Sequence, residues 1–117
     1  MGLKELKQNL AILQGLLGLL GWKITLRWAL KKDEFCQSQA GQASWVAVMK
    51  TAEICIDKAS EDHLHTLTHE MLHIFFEGHS SERSLIQARD SETYEGCLNR
   101  LASLLVKLIE KEDSNGE

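Results

Sequence analysis

Proline is absent from the 117-residue chain, cysteine occurs only three times, and no long run of charge of one sign is present. The lack of proline and a glycine count of only 8 exclude a collagen-like chain, and a hydrophobic content of 44% excludes a disordered one. The formal charge of -4, from 13 basic and 17 acidic residues, leaves no basic footprint for nucleic acid or anionic lipid. We therefore expect one small globular domain that binds neither nucleic acid nor a membrane.

The three cysteines, Cys36, Cys55 and Cys97, are far apart and form no CxxC pair. Disulfide-rich domains and thiolate zinc clusters depend on closely spaced cysteines, so neither is expected. The sequence therefore predicts a cytoplasmic protein with reduced thiols. It also contains no glycine-rich phosphate loop and no recognisable arrangement of a nucleophilic Ser or Cys with His.

The N-terminal segment, residues 1–20, has two lysines before an apolar stretch, as a secretory signal does. It lacks a small-residue cleavage site, however, and polar residues interrupt it. Its leucines recur at intervals of three and four residues, which is the pattern of an amphipathic helix: Leu3, Leu6, Leu10, Leu13, Leu17 and Leu20. We expect this segment to be a helix packed on the core rather than a signal or a membrane anchor.

Three short strands are predicted after Gly21, which ends the first helix. Alternating or apolar segments mark them at residues 22–31, 43–50 and 51–57. They would form a small three-stranded sheet, antiparallel or mixed. Together with the helices on either side, they predict an α+β fold in a single domain, residues 1–117.

Two helices are predicted after the strands. Ser60 supplies an N-cap for the first, which runs to about Glu77, where Gly78 can adopt the left-handed conformation that ends a helix. A leucine-rich apolar stripe marks the second helix. Residues 112–117 are expected to be a disordered acidic tail.

The first of these helices contains an HExxH motif, His69-Glu70-Met71-Leu72-His73. Residues four apart lie about 40° apart around a helix, so both imidazoles can reach one ion from the same side. The intervening Glu70 can then hold a water bound to that ion. The two histidines also face away from the apolar stripe of the helix, towards a side open to a ligand. The motif therefore predicts a Zn2+ site at His69 and His73.

A catalytic zinc usually takes three protein ligands, so one more is needed. His65 lies two turns from His73, too far for one ion to bridge, and His79 has the spacing of HExxHxxGxxH without the glycine of that motif. On the last helix, Glu95 lies on the flank of the apolar stripe and Glu92 on its back. Glu95 is therefore the best placed of these residues, with His79 as the less favoured alternative.

Two segments of the chain resemble the paired signatures of the ImmA/IrrE-like peptidases, small gluzincins of the zincin class often found in phage and mobile-element regions. They are HEMLHIFFEGH at residues 69–79 and EGCLNRLASLL at residues 95–105, the latter similar to the family's ExxxNxxA helix. The order of elements also resembles that of the minigluzincins. This resemblance implies a minimal zincin-like fold in which His69, His73 and Glu95 bind zinc and Glu70 is the general base.

The function predicted is that of a zinc metalloprotease, which hydrolyses peptide bonds with a zinc-bound water activated by Glu70. Candidate donors to the oxyanion are Tyr94, Arg83 and His79. The peptide or protein substrate would add as a strand to an edge at residues 52–56. The alternative is a zincin-fold regulatory or interaction protein that binds zinc and a protein partner with little or no turnover.

Overall fold

The computed structural model describes residues 1–30, 40–78 and 91–115, with side chains in the last range from Tyr94 to Lys111. These residues form three helices and a three-stranded mixed sheet, which confirms the α+β class. In chain order the elements are α1 (Leu3–Leu16), β1 (Lys23–Trp28), β2 (Gly41–Val46), β3 (Thr51–Ile56), α2 (His63–Glu77) and α3 (Ser91–Asn115). Within the described part of the chain, no helix is both long and apolar enough to cross a membrane.

The sheet has the strand order β1-β3-β2, with β1 parallel and β2 antiparallel to the central strand. Ile54 of β3 pairs with Leu26 on one side and Ala43 on the other. Both neighbours occupy the hydrogen-bonding groups of β3, so the expectation that residues 52–56 offer a free edge to a substrate is wrong. Among the described strands, the edge on the side of α2 is β2.

The N-terminal helix packs on the core as expected, but it ends at Leu16 rather than near Leu20. Gly18 adopts a positive φ of 69°, a conformation that suits glycine and turns the chain out of the helix. The leucine stripe therefore divides. Some of its members are buried in the main core, namely Leu6, Leu10 and Leu13, whereas Leu20 remains 74% exposed.

Helix α2 is capped by Asp62 rather than by the predicted cap Ser60. The Asp62 side chain accepts a hydrogen bond from the backbone N–H of His65 at 3.0 Å, which satisfies one of the unpaired donors of the first turn. Ser60 instead donates its hydroxyl to the Asp57 carbonyl at 2.7 Å, within the preceding turn. Serine and aspartate are both common N-cap residues. Here the hydroxyl of Ser60 is already used in the turn at Asp57, so Asp62 is the cap.

Helix α2 ends at Glu77 as predicted, but Gly78 does not take the left-handed conformation. Its φ of -71° and ψ of -17° are right-handed. Glycine is nevertheless required there, because a Cβ atom would clash with the Ile74 carbonyl oxygen and lie 3.0 Å from the ring of Trp22. The residue permits close packing of the helix end rather than a change of backbone hand.

Helix α3 is longer than the apolar stripe suggested and runs through Asn115. Its backbone is therefore helical over four residues of the expected disordered tail, and residues 116–117 lie outside the described chain. A small cluster joins it to α2 and consists of Leu72, Tyr94, Leu98 and Ala102. This packing sets the position of the start of α3 beside the HExxH segment.

The first residue of β2 lies so close to α2 that only glycine fits. A Cβ atom on Gly41 would stand 2.6 Å from Thr66 Cγ2 and 3.2 Å from the Cys55 carbonyl oxygen. We expect Gly41→Ala to lower the free energy of unfolding by about 1–3 kcal/mol, measured by urea denaturation, because it forces overpacking. Adding Thr66→Ser should restore much of this loss, since it removes the clashing methyl group and keeps a hydroxyl.

Gly15→Ala is the matched control, because Gly15 is helical and has open space around its Cβ position. That substitution should be neutral or stabilise the protein by about 0.5–1 kcal/mol. Equal effects of the two alanine substitutions would contradict the close approach of β2 to α2.

Candidate metal centre

The two histidines of the HExxH segment point their Nε2 atoms at each other. Because α2 is a regular helix here, His69 and His73 lie one turn apart on the same face, and their Nε2 atoms are 3.2 Å apart. Both side chains are half-buried, with about 15% of their surface exposed. His69, Glu70 and His73 form a group whose ligand atoms are close enough to hold one metal ion.

Glu95 of α3 joins this pair across the helix interface. Its Oε2 lies 2.8 Å from His69 Nε2, and its Oε1 lies 3.1 Å from His73 Nε2. The structure thus brings together His69, Glu70, His73 and Glu95.

Within the described part of the chain, no other candidate residue joins this group. His79 and the side chain of Glu92 lie outside the described residues, as does Arg83. His65 lines the same cavity, but its Nε2 faces the Asn99 carbonyl at 3.3 Å.

The spacing of these atoms fits a tetrahedral ion. Ligand atoms held 2.0–2.1 Å from a tetrahedral metal stand about 3.3 Å from one another. The distances of 2.8, 3.1 and 3.2 Å among the two Nε2 atoms and the Glu95 oxygens are near that value. Two imidazole lone pairs facing each other repel unless a proton or a cation lies between them. A metal ion at their centre would satisfy all these atoms at once.

The charge around the site also favours a cation. A cavity of about 450 Å³ opens on the two histidines, and its described lining contains no lysine or arginine: Ala40, Gly41, His65, Thr66, His69, Glu70, His73, Glu95 and Asn99. An adjoining cleft adds Glu77. Three carboxyl groups thus gather here beside two histidines, and a divalent ion would offset their mutual repulsion.

A third carboxylate, Glu77, supports the site from behind His73. Its Oε2 lies 2.7 Å from His73 Nδ1 and accepts a hydrogen bond from the Tyr94 hydroxyl at 3.0 Å. Sequence reasoning missed Glu77, although its position four residues after His73 on a helix was the available signal. Tyr94, a predicted candidate for the oxyanion donor, is instead buried, and its hydroxyl donates to Glu77.

Burial dominates the protonation of the site. It raises the pKa of Glu70 from 4.5 to about 7; the charges of Glu95 and Glu77 add to this rise, and that of His73 opposes it. Burial, and then His73, lowers the pKa of His69, which favours the neutral imidazole that a metal requires. Burial, and then the hydrogen bond to Glu77, raises the pKa of Tyr94, so the phenol remains a donor.

Comparison with known proteins identifies no relative: no protein-family model, no curated protein and no solved structure matches the chain. The geometry and chemistry of this site are therefore the basis for a functional assignment.

The raised pKa of Glu70 predicts a pH-dependent loss of stability in the metal-free protein. A carboxyl group with a higher pKa in the folded state stabilises the fold at low pH, and this contribution is lost as the pH rises through about 7. Relative to Glu70→Gln, whose amide does not titrate, the chelator-treated protein should lose up to about 3 kcal/mol between pH 5 and pH 8. Urea denaturation at several pH values measures this difference.

Titrating groups that do not interact with Glu70 are common to both proteins and cancel in that difference. Glu110→Gln, at an exposed position on α3, is the control and should follow the wild-type pH profile. Parallel profiles for wild type and Glu70→Gln would show that Glu70 titrates normally.

Proposed function

We propose that the protein is a zinc-dependent metallopeptidase of the zincin class, with the glutamate-ligand arrangement of a small gluzincin. The observation that carries this proposal is the convergence of His69 Nε2, His73 Nε2 and the Glu95 carboxylate within 2.8–3.2 Å of one another. The buried carboxyl group of Glu70 lines the same cavity. This combination would supply three protein ligands for the metal, a general base, and a cavity through which substrate can reach the metal.

The donor set favours zinc over harder cations. Magnesium and calcium prefer shells of oxygen atoms, whereas two imidazoles and one carboxylate are a ligand set found in catalytic zinc sites. When bound, zinc would act as a Lewis acid on a carbonyl group and increase the acidity of a coordinated water. His69, His73 and Glu95 would hold the ion, and the cavity would admit substrate to its remaining position.

Glu70 is the general base of the proposed reaction. Its carboxyl group lines the cavity beside both histidines, where a carboxylate can accept a proton from water and return it. The proton would pass from the attacking water to Glu70 and then to the nitrogen of the leaving amine. Burial raises the basicity of Glu70, so the tight packing beside Gly41 serves the chemistry directly.

The substrate side of the site is β2. This strand contacts α2 and lies at the edge of the described sheet. Gly41, Gln42, Ala43 and Trp45 of β2 line a cleft with Glu70 and His73. An extended peptide that pairs with β2 would place its backbone alongside the HExxH residues. The proposed substrate is therefore a peptide or an unfolded protein segment.

The metal site predicts a specific pattern of zinc loss. Elemental analysis of the purified wild type after reconstitution should give one zinc per chain. Glu95→Ala should weaken zinc binding by at least tenfold, because it removes one of three protein ligands. Glu110→Ala, which removes an exposed glutamate of the same helix, should bind zinc as the wild type does. Unchanged binding by Glu95→Ala would eliminate Glu95 as a ligand.

If the protein is a peptidase, removal of the general base should abolish turnover without loss of the metal. Glu70→Gln should retain one zinc per chain and lose at least a hundredfold in the hydrolysis rate, since it removes the general base. Digestion of a peptide library, read by mass spectrometry, measures this rate. A zinc-loaded wild type that cleaves nothing would refute the peptidase function and leave only the metal site.

A further inference from the structure

We propose that Glu77 and Tyr94 are positioning residues of the metal centre: a hydrogen-bond chain from Tyr94 through Glu77 to His73 fixes one ligand and places the helix that carries another. This inference rests on the zinc site proposed above. Glu77 contacts Nδ1 of His73 rather than Nε2, and the Tyr94 hydroxyl contacts Glu77, so neither residue is assigned as a ligand. Their effect would be transmitted through His73 and through the backbone next to Glu95.

The first link of the chain fixes the proton of His73. A carboxylate oxygen only accepts hydrogen bonds, so the 2.7 Å contact with Glu77 Oε2 requires the proton on His73 Nδ1. In the neutral ring, Nε2 then carries the lone pair, and it is Nε2 that faces His69 and Glu95. Glu77 therefore selects the tautomer that can bind a metal and holds the ring in that orientation.

The environment of Glu77 makes this contact restrictive. Its side chain is only 11% exposed, so protein donors supply much of the hydrogen bonding of the carboxylate. His73 and Tyr94 both donate to the same oxygen, Oε2, at 2.7 and 3.0 Å. Two donors converging on one oxygen leave Glu77 little freedom to rotate.

The second link joins the two helices that provide the ligands. Tyr94 is 4% exposed, and its ring packs in the cluster with Leu72, Leu98 and Ala102. Its hydroxyl reaches across the interface from α3 to Glu77 on α2. Because Tyr94 directly precedes Glu95 in the chain, this hydrogen bond fixes the rotation of α3 at the residue next to the third ligand. One chain of contacts therefore constrains ligands from both helices.

Among the described residues, no carboxylate supports His69 Nδ1 as Glu77 supports His73 Nδ1, although the Asn99 side chain interacts with His69. Its Nδ1 is buried without a hydrogen-bond partner there, in contrast to His73 Nδ1. The two imidazoles are therefore held differently, and within the described part of the chain only that of His73 has a carboxylate behind its Nδ1. This asymmetry predicts that disruption of the Glu77–Tyr94 link affects metal binding even when all ligands remain intact.

Zinc affinity, measured by competition with a chromophoric chelator, tests the inference. We expect Glu77→Ala to weaken zinc binding by 10- to 100-fold. Tyr94→Phe keeps the packed ring and removes only the hydroxyl, and it should weaken binding by about three- to tenfold, because it breaks one hydrogen bond of the chain. Glu77→Gln should bind more tightly than Glu77→Ala, since its amide oxygen can still accept from His73. Thermal unfolding establishes that each variant is folded.

A double-mutant cycle separates positioning from ordinary packing. In the Glu77→Ala background, Tyr94→Phe should have no further effect on zinc affinity, because the hydroxyl has lost its acceptor. Long-range nitrogen-15 NMR of the metal-free protein should show the proton on His73 Nδ1 in the wild type and a mixture of tautomers in Glu77→Ala. Additive effects, an unchanged tautomer, or zinc affinities within twofold of wild type for both Tyr94→Phe and Glu77→Ala would overturn the inference.

The outcomes also distinguish this inference from the proposed function. A wild type that binds no zinc would refute the metallopeptidase proposal, and the positioning role with it. A wild type that binds one zinc while Tyr94→Phe and Glu77→Ala bind it equally well would refute the positioning role alone.

Discussion

The packing of α2 against α3 is the constraint on which the candidate site depends. Helix α2 supplies His69 and His73 by local geometry, since residues four apart share a face. Glu95 can join them only if α3 lies against α2 with the correct rotation. The buried cluster around Leu72 and Tyr94 sets that rotation, and Glu95 then lies within 2.8–3.1 Å of both Nε2 atoms. The contacts that pack α3 on α2 therefore also place Glu95 beside the two histidines.

The same constraint concentrates negative charge. Glu70, Glu77 and Glu95 are brought together by helices that, in the described part of the chain, place no lysine or arginine in the cavity. In the metal-free protein these charges add to the effect of burial, which is the main cause of the raised pKa of Glu70. A bound dication would offset this repulsion and add its binding free energy to the stability of the fold. For a small domain with a modest core, such a contribution is substantial. The features that prepare the site for a metal therefore weaken the protein without one.

Much of the fold could be predicted from the sequence, because the informative patterns are local. The α+β class, the three strands and the HExxH helix follow from periodicities of two and 3.6 residues. The position of β3 in the centre of the sheet was missed because strand pairing is non-local. The consecutive apolar residues Ile54, Cys55 and Ile56 were the signal for it, since such a run is typical of a buried strand. The cap at Asp62 and the end of α1 at Leu16 depend on neighbouring turns that composition does not encode.

Within the site, the HExxH spacing is enough to predict the two histidines and the glutamate on α2. The position of Glu95 around its predicted helix favours it over Glu92 as the third ligand. Glu77 belongs to no sequence motif, and its role depends on Tyr94 from a different helix.

X-ray absorption spectroscopy at the zinc edge of the reconstituted protein tests the ligand set most directly. We predict four nitrogen or oxygen ligands at about 2.0–2.1 Å, two of them imidazoles, and no sulfur. A sulfur shell near 2.3 Å, or a six-coordinate oxygen shell without imidazole, would contradict the proposed site.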